Sequence, residues 1–124
     1  MIPRVRFPRR VHARDVVTPE VAEAVFKRDG YNCVAPRIDP MAGPCRDRYG
    51  VLVSPSDRRA LELDHIHADG STHGKRADST IAELVVVCAF HHRGTGRSAG
   101  AAQWATANRD LLRRYIVRAN RGGG

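Results

Sequence analysis

The sequence is poor in aromatic residues and has no long apolar run. Aromatic residues make up only 6 % of its 124 residues. The longest apolar run, 81–90, is interrupted by Glu83 and is too short to span a bilayer, which argues against a membrane protein. The first residues also lack the apolar stretch of a secretory signal, so we expect a cytoplasmic protein that does not bind membranes.

Cysteine is also scarce. There are three cysteines, and an odd number without an export signal disfavours a disulfide framework. Because six histidines accompany them, metal binding is the competing explanation. Cys88 and His91 are separated by two residues, a spacing that lets both ends of a tight turn hold one ion. With Cys33 and Cys45 they make three thiolates and one imidazole, a ligand set that zinc accepts.

The spacing of the other two cysteines is less typical of zinc. Eleven residues separate Cys33 from Cys45, whereas the two cysteines of a zinc knuckle are about two to four residues apart. The loop between them is rich in proline and glycine and can close to bring them together. The alternative is a set of buried thiols with a Cys33–Cys45 disulfide.

The positive charge is concentrated at the two ends of the chain. The net charge of +8 divides into +4 for residues 1–17, −1 for 18–96 and +5 for 97–124. We therefore expect a basic N-terminal arm, a core domain and a basic helical extension over these segments. Basic flanks favour a polyanionic partner, nucleic acid above all, although they can merely maintain solubility. The candidate phosphate contacts are Arg4, Arg6, Arg9, Arg10, Arg113, Arg114 and Arg118. For the last three, a solvated helix face is the alternative.

Local patterns predict an α+β fold with two main strands between flanking helices. Thr18, Pro19 and Glu20 are typical of a helix start, and Gly30 is a natural terminator. The other predicted elements are a short strand over 49–53, strands over 59–66 and 84–87, and helical pieces over 99–105 and 108–119.

Carboxylate and imidazole side chains follow the two main strands. Asp64 and His65 end the first strand, and His91 and His92 follow the second. A carboxylate and an imidazole from two strand ends can share a divalent ion, and a remaining imidazole can act as general base. Neighbouring side chains of a regular strand point to opposite faces, so Asp64 and His65 reach one site only if the strand ends or bulges there. The alternative is an Asp–His pair without function.

Three segments resemble the HNH endonucleases: RDGYNC at 28–33, LELDHI at 61–66 and ELVVVCAFHH at 83–92. In that family a lead-in to the first zinc cysteine precedes a strand that ends in Asp-His. A loop, an Asn-Leu pair, an apolar strand and a Cys-x-x-Cys-His sequence follow. The resemblance covers about residues 19–93.

The resemblance implies a ββα-metal fold, in which two antiparallel strands and a helix hold one catalytic metal beside a structural zinc. By position, His65 would be the general base, and Asp64 and His92 would bind a catalytic Mg²⁺, Mn²⁺ or Ni²⁺ ion. The implied zinc ligands are Cys33, Cys45, Cys88 and His91. The implied activity is metal-dependent hydrolysis of DNA phosphodiester bonds, and small stand-alone members are often encoded by phages.

Two residues depart from the family pattern. His91 stands where the family usually has a cysteine, a change that zinc tolerates. Glu83 stands where the family has the asparagine of its name, and an ionised glutamate only accepts hydrogen bonds. Glu83 would either help to hold the loop between the two strands by accepting hydrogen bonds, or provide the ion with a further carboxylate ligand. The alternative is that the substitution marks an impaired copy of the family.

Two further hypotheses therefore accompany the endonuclease. The first is a non-catalytic, zinc-stapled DNA-binding module. The second is a structural zinc protein that docks another phage or nucleic-acid-processing protein.

Overall fold

A two-stranded antiparallel sheet lies between the helices of the fold. The structure is a computed structural model, and it describes residues 17–66, 80–94 and 103–122. The elements in chain order are α1 (Pro19–Arg28), α2 (Ala35–Ile38), β1 (Leu61–His65), β2 (Leu84–Cys88), α3 (Ala89–Arg93), α4 (Trp104–Ala107) and α5 (Arg109–Arg121). The predicted α+β class is confirmed. None of the described helices is long and apolar enough to cross a bilayer.

The predicted basic arm lies outside the described residues apart from Val17. Its candidate phosphate contacts were Arg4, Arg6, Arg9 and Arg10, and they remain predictions. At the other end of the chain, Leu112 and Ile116 of α5 belong to the same hydrophobic core as Cys33 and Val85. The described part of the extension 97–124 therefore packs into the core.

Helix α1 begins and ends where its sequence signals predict. The Oγ1 of Thr18 accepts a hydrogen bond from the backbone N–H of Val21 at 3.2 Å, which caps the first turn. After the helix, Gly30 adopts a φ of +72° and Tyr31 a φ of +56°. Such left-handed backbone cannot continue a helix, so the chain turns here and leads to Cys33.

The two strands pair in a regular register. Leu61 lies opposite Cys88, and His65 lies opposite Leu84. Strand β1 begins two residues later than predicted because 58–60 form a 3₁₀ turn, capped by the Asp57 carboxylate. The short strand predicted over 49–53 is reduced to an isolated bridge between Arg46 and Leu52.

Both faces of the sheet are covered, which explains the wholly apolar β2. Leu84 and Val86 pack with Val25 of α1 on one face. Val85 and Val87 pack on the other face in the core that contains α5. All five residues of β2 are therefore buried, as expected of a strand with helices on both sides.

A buried carboxylate joins α1, β2 and α5. Asp29 is fully buried and receives a bidentate pair of hydrogen bonds from Arg28, at 2.7 and 3.0 Å. The Tyr115 hydroxyl donates to it at 2.7 Å, and the backbone N–H of Val86 donates at 3.0 Å. Because α1, β2 and α5 each contribute a donor to one buried carboxylate, this network helps to fix where α5 lies.

Candidate metal centres

The structure brings Cys33, Cys45, Cys88 and His91 together in one buried cluster. Their candidate ligand atoms all lie within 4.8 Å of one another. From Nδ1 of His91 the sulfurs of Cys33, Cys45 and Cys88 lie at 3.6, 3.8 and 3.2 Å. None of the three cysteines forms a disulfide, so the Cys33–Cys45 bridge considered above is wrong. The eleven-residue loop closes as the zinc hypothesis requires.

The cluster fits a tetrahedral zinc ion. With Zn–S bonds of about 2.3 Å and a Zn–N bond of about 2.0 Å, nitrogen and sulfur ligands lie about 3.5 Å apart. The Nε2 of His91 lies 2.9 Å from the carbonyl of Ala42, to which it donates a hydrogen bond. Because Nε2 is engaged by the Ala42 carbonyl, Nδ1 is the nitrogen that faces the thiols. The buried cluster can therefore hold a metal ion such as zinc.

The loop that carries Cys45 is held against the cluster by the only tryptophan. Trp104 Nε1 donates to the Asp39 carboxylate at 2.7 Å, and its ring meets His91 edge-on with centroids 5.6 Å apart. The backbone N–H of Ala42 in turn donates to the carbonyl of Asp39. The hydrogen bond from Trp104 also lowers the pKa of Asp39. Helix α4 thus fastens the loop that positions one thiol and the Ala42 carbonyl.

The pKa values of Cys45, Cys88 and His91 are shifted in different directions. Hydrogen bonds from Cys33 and Cys45 hold the pKa of Cys88 well below its usual range. Hydrogen bonds with Cys33 and Cys88 raise the pKa of Cys45. Burial alone would lower the pKa of His91, but its contacts with Cys33 and Cys88 outweigh burial and raise the pKa to about 10. Metal binding at this cluster must therefore release protons.

A second cluster surrounds His92, the residue that follows His91 in α3. Nδ1 of His92 lies 2.7 Å from Oε1 of Glu62, and its Nε2 lies 3.3 Å from Oδ1 of Asp64. Burial opposes protonation of His92, but Asp64 and Glu62 together raise its pKa. Two ligands bound at right angles at about 2.1 Å from one ion lie about 3.0 Å apart. The 3.3 Å separation is that of an ion pair between His92 and Asp64, and it is also within the range expected for two ligands of one divalent ion.

His65, the predicted general base, is the last residue of β1. Its partner is Leu84, and the next residue, Ile66, still donates a backbone hydrogen bond to Glu83 at 2.9 Å. The strand therefore does not bulge between Asp64 and His65, and their side chains leave β1 on opposite faces. A phosphate that both approach must lie across the outer edge of β1, since among the described residues the sheet has only two strands.

Glu83 lies in the turn that leads into β2. Its backbone N–H donates to the carbonyl of Thr80, and its own carbonyl accepts from Ile66. The same turn is fastened by Arg28 and Asn120, which both donate to the carbonyl of Ile81. The structure thus holds Glu83 at the end of the sheet that carries His65.

Sequence reasoning missed Glu62 and Arg93. Glu62 contacts His92 directly, and Nε and Nη2 of Arg93 donate to its two carboxylate oxygens at 2.9 and 2.5 Å. The signal was present, because a residue two positions before Asp64 in a strand lies on the same face. Arg93 lowers the pKa of Glu62, which keeps that carboxylate ionised.

The candidate phosphate contacts of α5 lie along an open groove. Arg114 and Arg118 are exposed and Arg113 is half-buried, with its Nη1 3.1 Å from Asp110. The groove is lined by Ala82, Asp110, Arg113, Arg114, Val117, Arg118 and Arg121. Because Ala82 belongs to the turn before β2, this basic groove borders the end of the sheet where His65 lies.

Comparison with known proteins adds no assignment: no family model matches the chain, and neither does any curated protein or solved structure.

Proposed function

We propose that the protein is a metal-dependent DNA endonuclease of the HNH type. The observation that supports it most is the division of two adjacent histidines of α3 between two clusters. His91 faces three buried thiols, whereas Nε2 of His92 lies 3.3 Å from the Asp64 carboxylate. The HNH resemblance implies this arrangement, in which a structural zinc site rich in thiolates lies next to a carboxylate–imidazole pair that binds a catalytic ion.

The two centres would have different roles. Zinc at the Cys33, Cys45, Cys88 and His91 cluster would tie the end of α1, the following loop, β2 and α3 together. Asp64 and His92 would hold a Mg²⁺, Mn²⁺ or Ni²⁺ ion. Bound there, that ion would neutralise charge on a phosphodiester and on its leaving oxygen.

His65 would act as the general base. A neutral imidazole can accept a proton from the attacking water. The attacking water would lie at the outer edge of β1, because Asp64 and His65 leave the strand on opposite faces. This geometry requires the scissile phosphate to lie across the strand edge and not over one face of the sheet.

The basic groove on α5 would provide the DNA contacts. Arg113, Arg114 and Arg118 would neutralise backbone phosphates, which binds DNA without reading its sequence. Their groove reaches Ala82, close to the end of the sheet that carries His65. A duplex bound along α5 would thus extend towards the proposed catalytic end.

Glu83 favours one alternative function. It occupies the position of the family asparagine, and an ionised carboxylate cannot donate the hydrogen bonds of an amide. If the loop between β1 and β2 needs an amide donor at position 83 to hold its conformation, the protein would lack activity. It would then be a DNA-binding module whose fold is stabilised by zinc. Glu83→Asn distinguishes the two, because it restores the amide in the same fold.

A plasmid-nicking assay with Mg²⁺, Mn²⁺ and Ni²⁺ tests the proposal. The parent should nick only when a divalent ion is present. His65→Ala should abolish nicking while zinc content and thermal stability persist, and Glu20→Gln, an exposed change on α1, should nick like the parent. Equal nicking by His65→Ala would show that the base is misassigned. A parent that shifts DNA but never cuts it would favour the binding module, and cutting by Glu83→Asn alone would identify an impaired copy.

A further inference from the structure

Glu62 makes the closest contact with His92, at 2.7 Å between Oε1 and Nδ1. It lies on the same face of β1 as Asp64, and it is held from the solvent side by two hydrogen bonds from Arg93. Arg93 is half-exposed, whereas the carboxylate of Glu62 is mostly shielded. The contact is therefore a constrained one and not an adjustable surface pair.

This contact determines which nitrogen of His92 can face an ion. The Glu62 carboxylate already accepts two hydrogen bonds from the guanidinium of Arg93, so it is also the acceptor in its contact with His92, and Nδ1 is the donor. In a neutral imidazole the lone pair then lies on Nε2, and Nε2 is the atom next to Asp64. Glu62 and Asp64 contact different nitrogens of the His92 ring. Glu62 is therefore placed to orient the ring, and it does not share the ion that Asp64 would bind.

We propose that Glu62 is a positioning residue, which fixes the tautomer and ring orientation of His92 so that Nε2 binds a divalent ion together with Asp64. The inference rests on the ion site of the proposed function. Carboxylates that orient a metal-binding histidine typically change metal affinity by about 10- to 100-fold when removed. Arg93 would act indirectly, because it holds the Glu62 carboxylate in the position from which Glu62 orients His92.

Binding of Mn²⁺ to the zinc-loaded full chain, followed by electron paramagnetic resonance, tests the proposal without depending on activity. Glu62→Ala should weaken Mn²⁺ binding by about 10- to 100-fold. Glu62→Gln should retain most of the affinity, because its amide oxygen still accepts from Nδ1. Glu20→Gln, which removes an exposed carboxylate from α1, should bind as the parent does, and Asp64→Asn should lose this Mn²⁺ ion.

Nitrogen-15 NMR of the imidazoles provides the readout that a merely structural role would not change. The parent should show His92 protonated at Nδ1, and Glu62→Ala should show a mixture of tautomers at unchanged zinc content. Equal Mn²⁺ affinity in Glu62→Ala and the parent would overturn the proposal, as would a parent that binds no Mn²⁺ at Asp64. Mn²⁺ binding that depends on Glu62 in a chain that cuts no DNA would support the positioning role and overturn only the nuclease.

Discussion

Replacing Tyr115 with phenylalanine measures how strongly α5 is attached to the rest of the fold. The hydroxyl donates to Asp29 at 2.7 Å and accepts from Nη1 of Arg37 at 3.1 Å. The ring remains in the core in the variant, so the polar contacts alone are lost. A hydrogen bond to a charged group contributes about 1.5–3 kcal/mol. Since Arg28 and Val86 still bind Asp29, we expect the free energy of unfolding to fall by about 2 kcal/mol.

The pKa of Tyr115 predicts how this difference in stability depends on pH. Burial and the hydrogen bond to Asp29 raise this pKa from 10.0 to about 12. The hydroxyl therefore loses its proton less readily in the folded protein, so its ionisation at high pH destabilises the fold. Because the folded pKa lies above the unfolded one, the stabilisation is complete below pH 10 and is lost as the pH rises towards 12. The advantage of the parent over the variant should shrink across this interval.

Urea denaturation of the zinc-loaded chain, followed by circular dichroism, provides the assay. The parent and Tyr115→Phe are compared at about pH 8 and again above pH 10. Tyr49→Phe is the matched control, because Tyr49 is 72 % exposed and its change should stay within about 0.5 kcal/mol. Equal stability of the parent and Tyr115→Phe at pH 8, or a difference that does not change with pH, would refute the reasoning.

If the Cys/His cluster holds the proposed structural zinc, its removal by a chelator should unfold the chain, because such a site contributes about 10–16 kcal/mol, as much as the whole stability of a small domain. The emission of Trp104, whose ring contacts His91 of this cluster, reports the unfolding, and an unchanged circular dichroism spectrum after chelation would contradict the prediction. Trp104→Phe removes the hydrogen bond to Asp39 and should accelerate zinc release to a chromophoric chelator, whereas an unchanged rate would show that the loop is held by other contacts. Changing Arg113, Arg114 and Arg118 together to glutamine should reduce the slope of log K against log salt for DNA binding by about 2.7, measured by fluorescence anisotropy. An unchanged slope would mean that these side chains form only a solvated helix face.

Interactions between near neighbours in the chain could be predicted from the sequence. The capping hydroxyl of Thr18 lies three residues from its donor, and the positive φ of Gly30 follows from the absence of a Cβ. Alternating and continuous apolar patterns likewise predicted β1 and β2 within two residues at each end. The residue types of the Cys/His cluster could also be predicted from the sequence, because zinc prefers thiolate and imidazole ligands in any fold.

Contacts between distant segments were decided by the tertiary structure alone. Whether Cys45 joins Cys33 depended on the closure of an eleven-residue loop, and the hydrogen bond from Trp104 of α4 to Asp39 is one of the contacts that hold it closed. The contact of Glu62 with His92 joins residues thirty positions apart, and that of Tyr115 with Asp29 joins residues eighty-six apart. Strand periodicity places Glu62 on the same face as Asp64, but side-chain type and short-range spacing do not determine which distant imidazole or hydroxyl a carboxylate will meet. That choice follows from strand register and helix packing, which depend on the burial of the whole apolar surface at once.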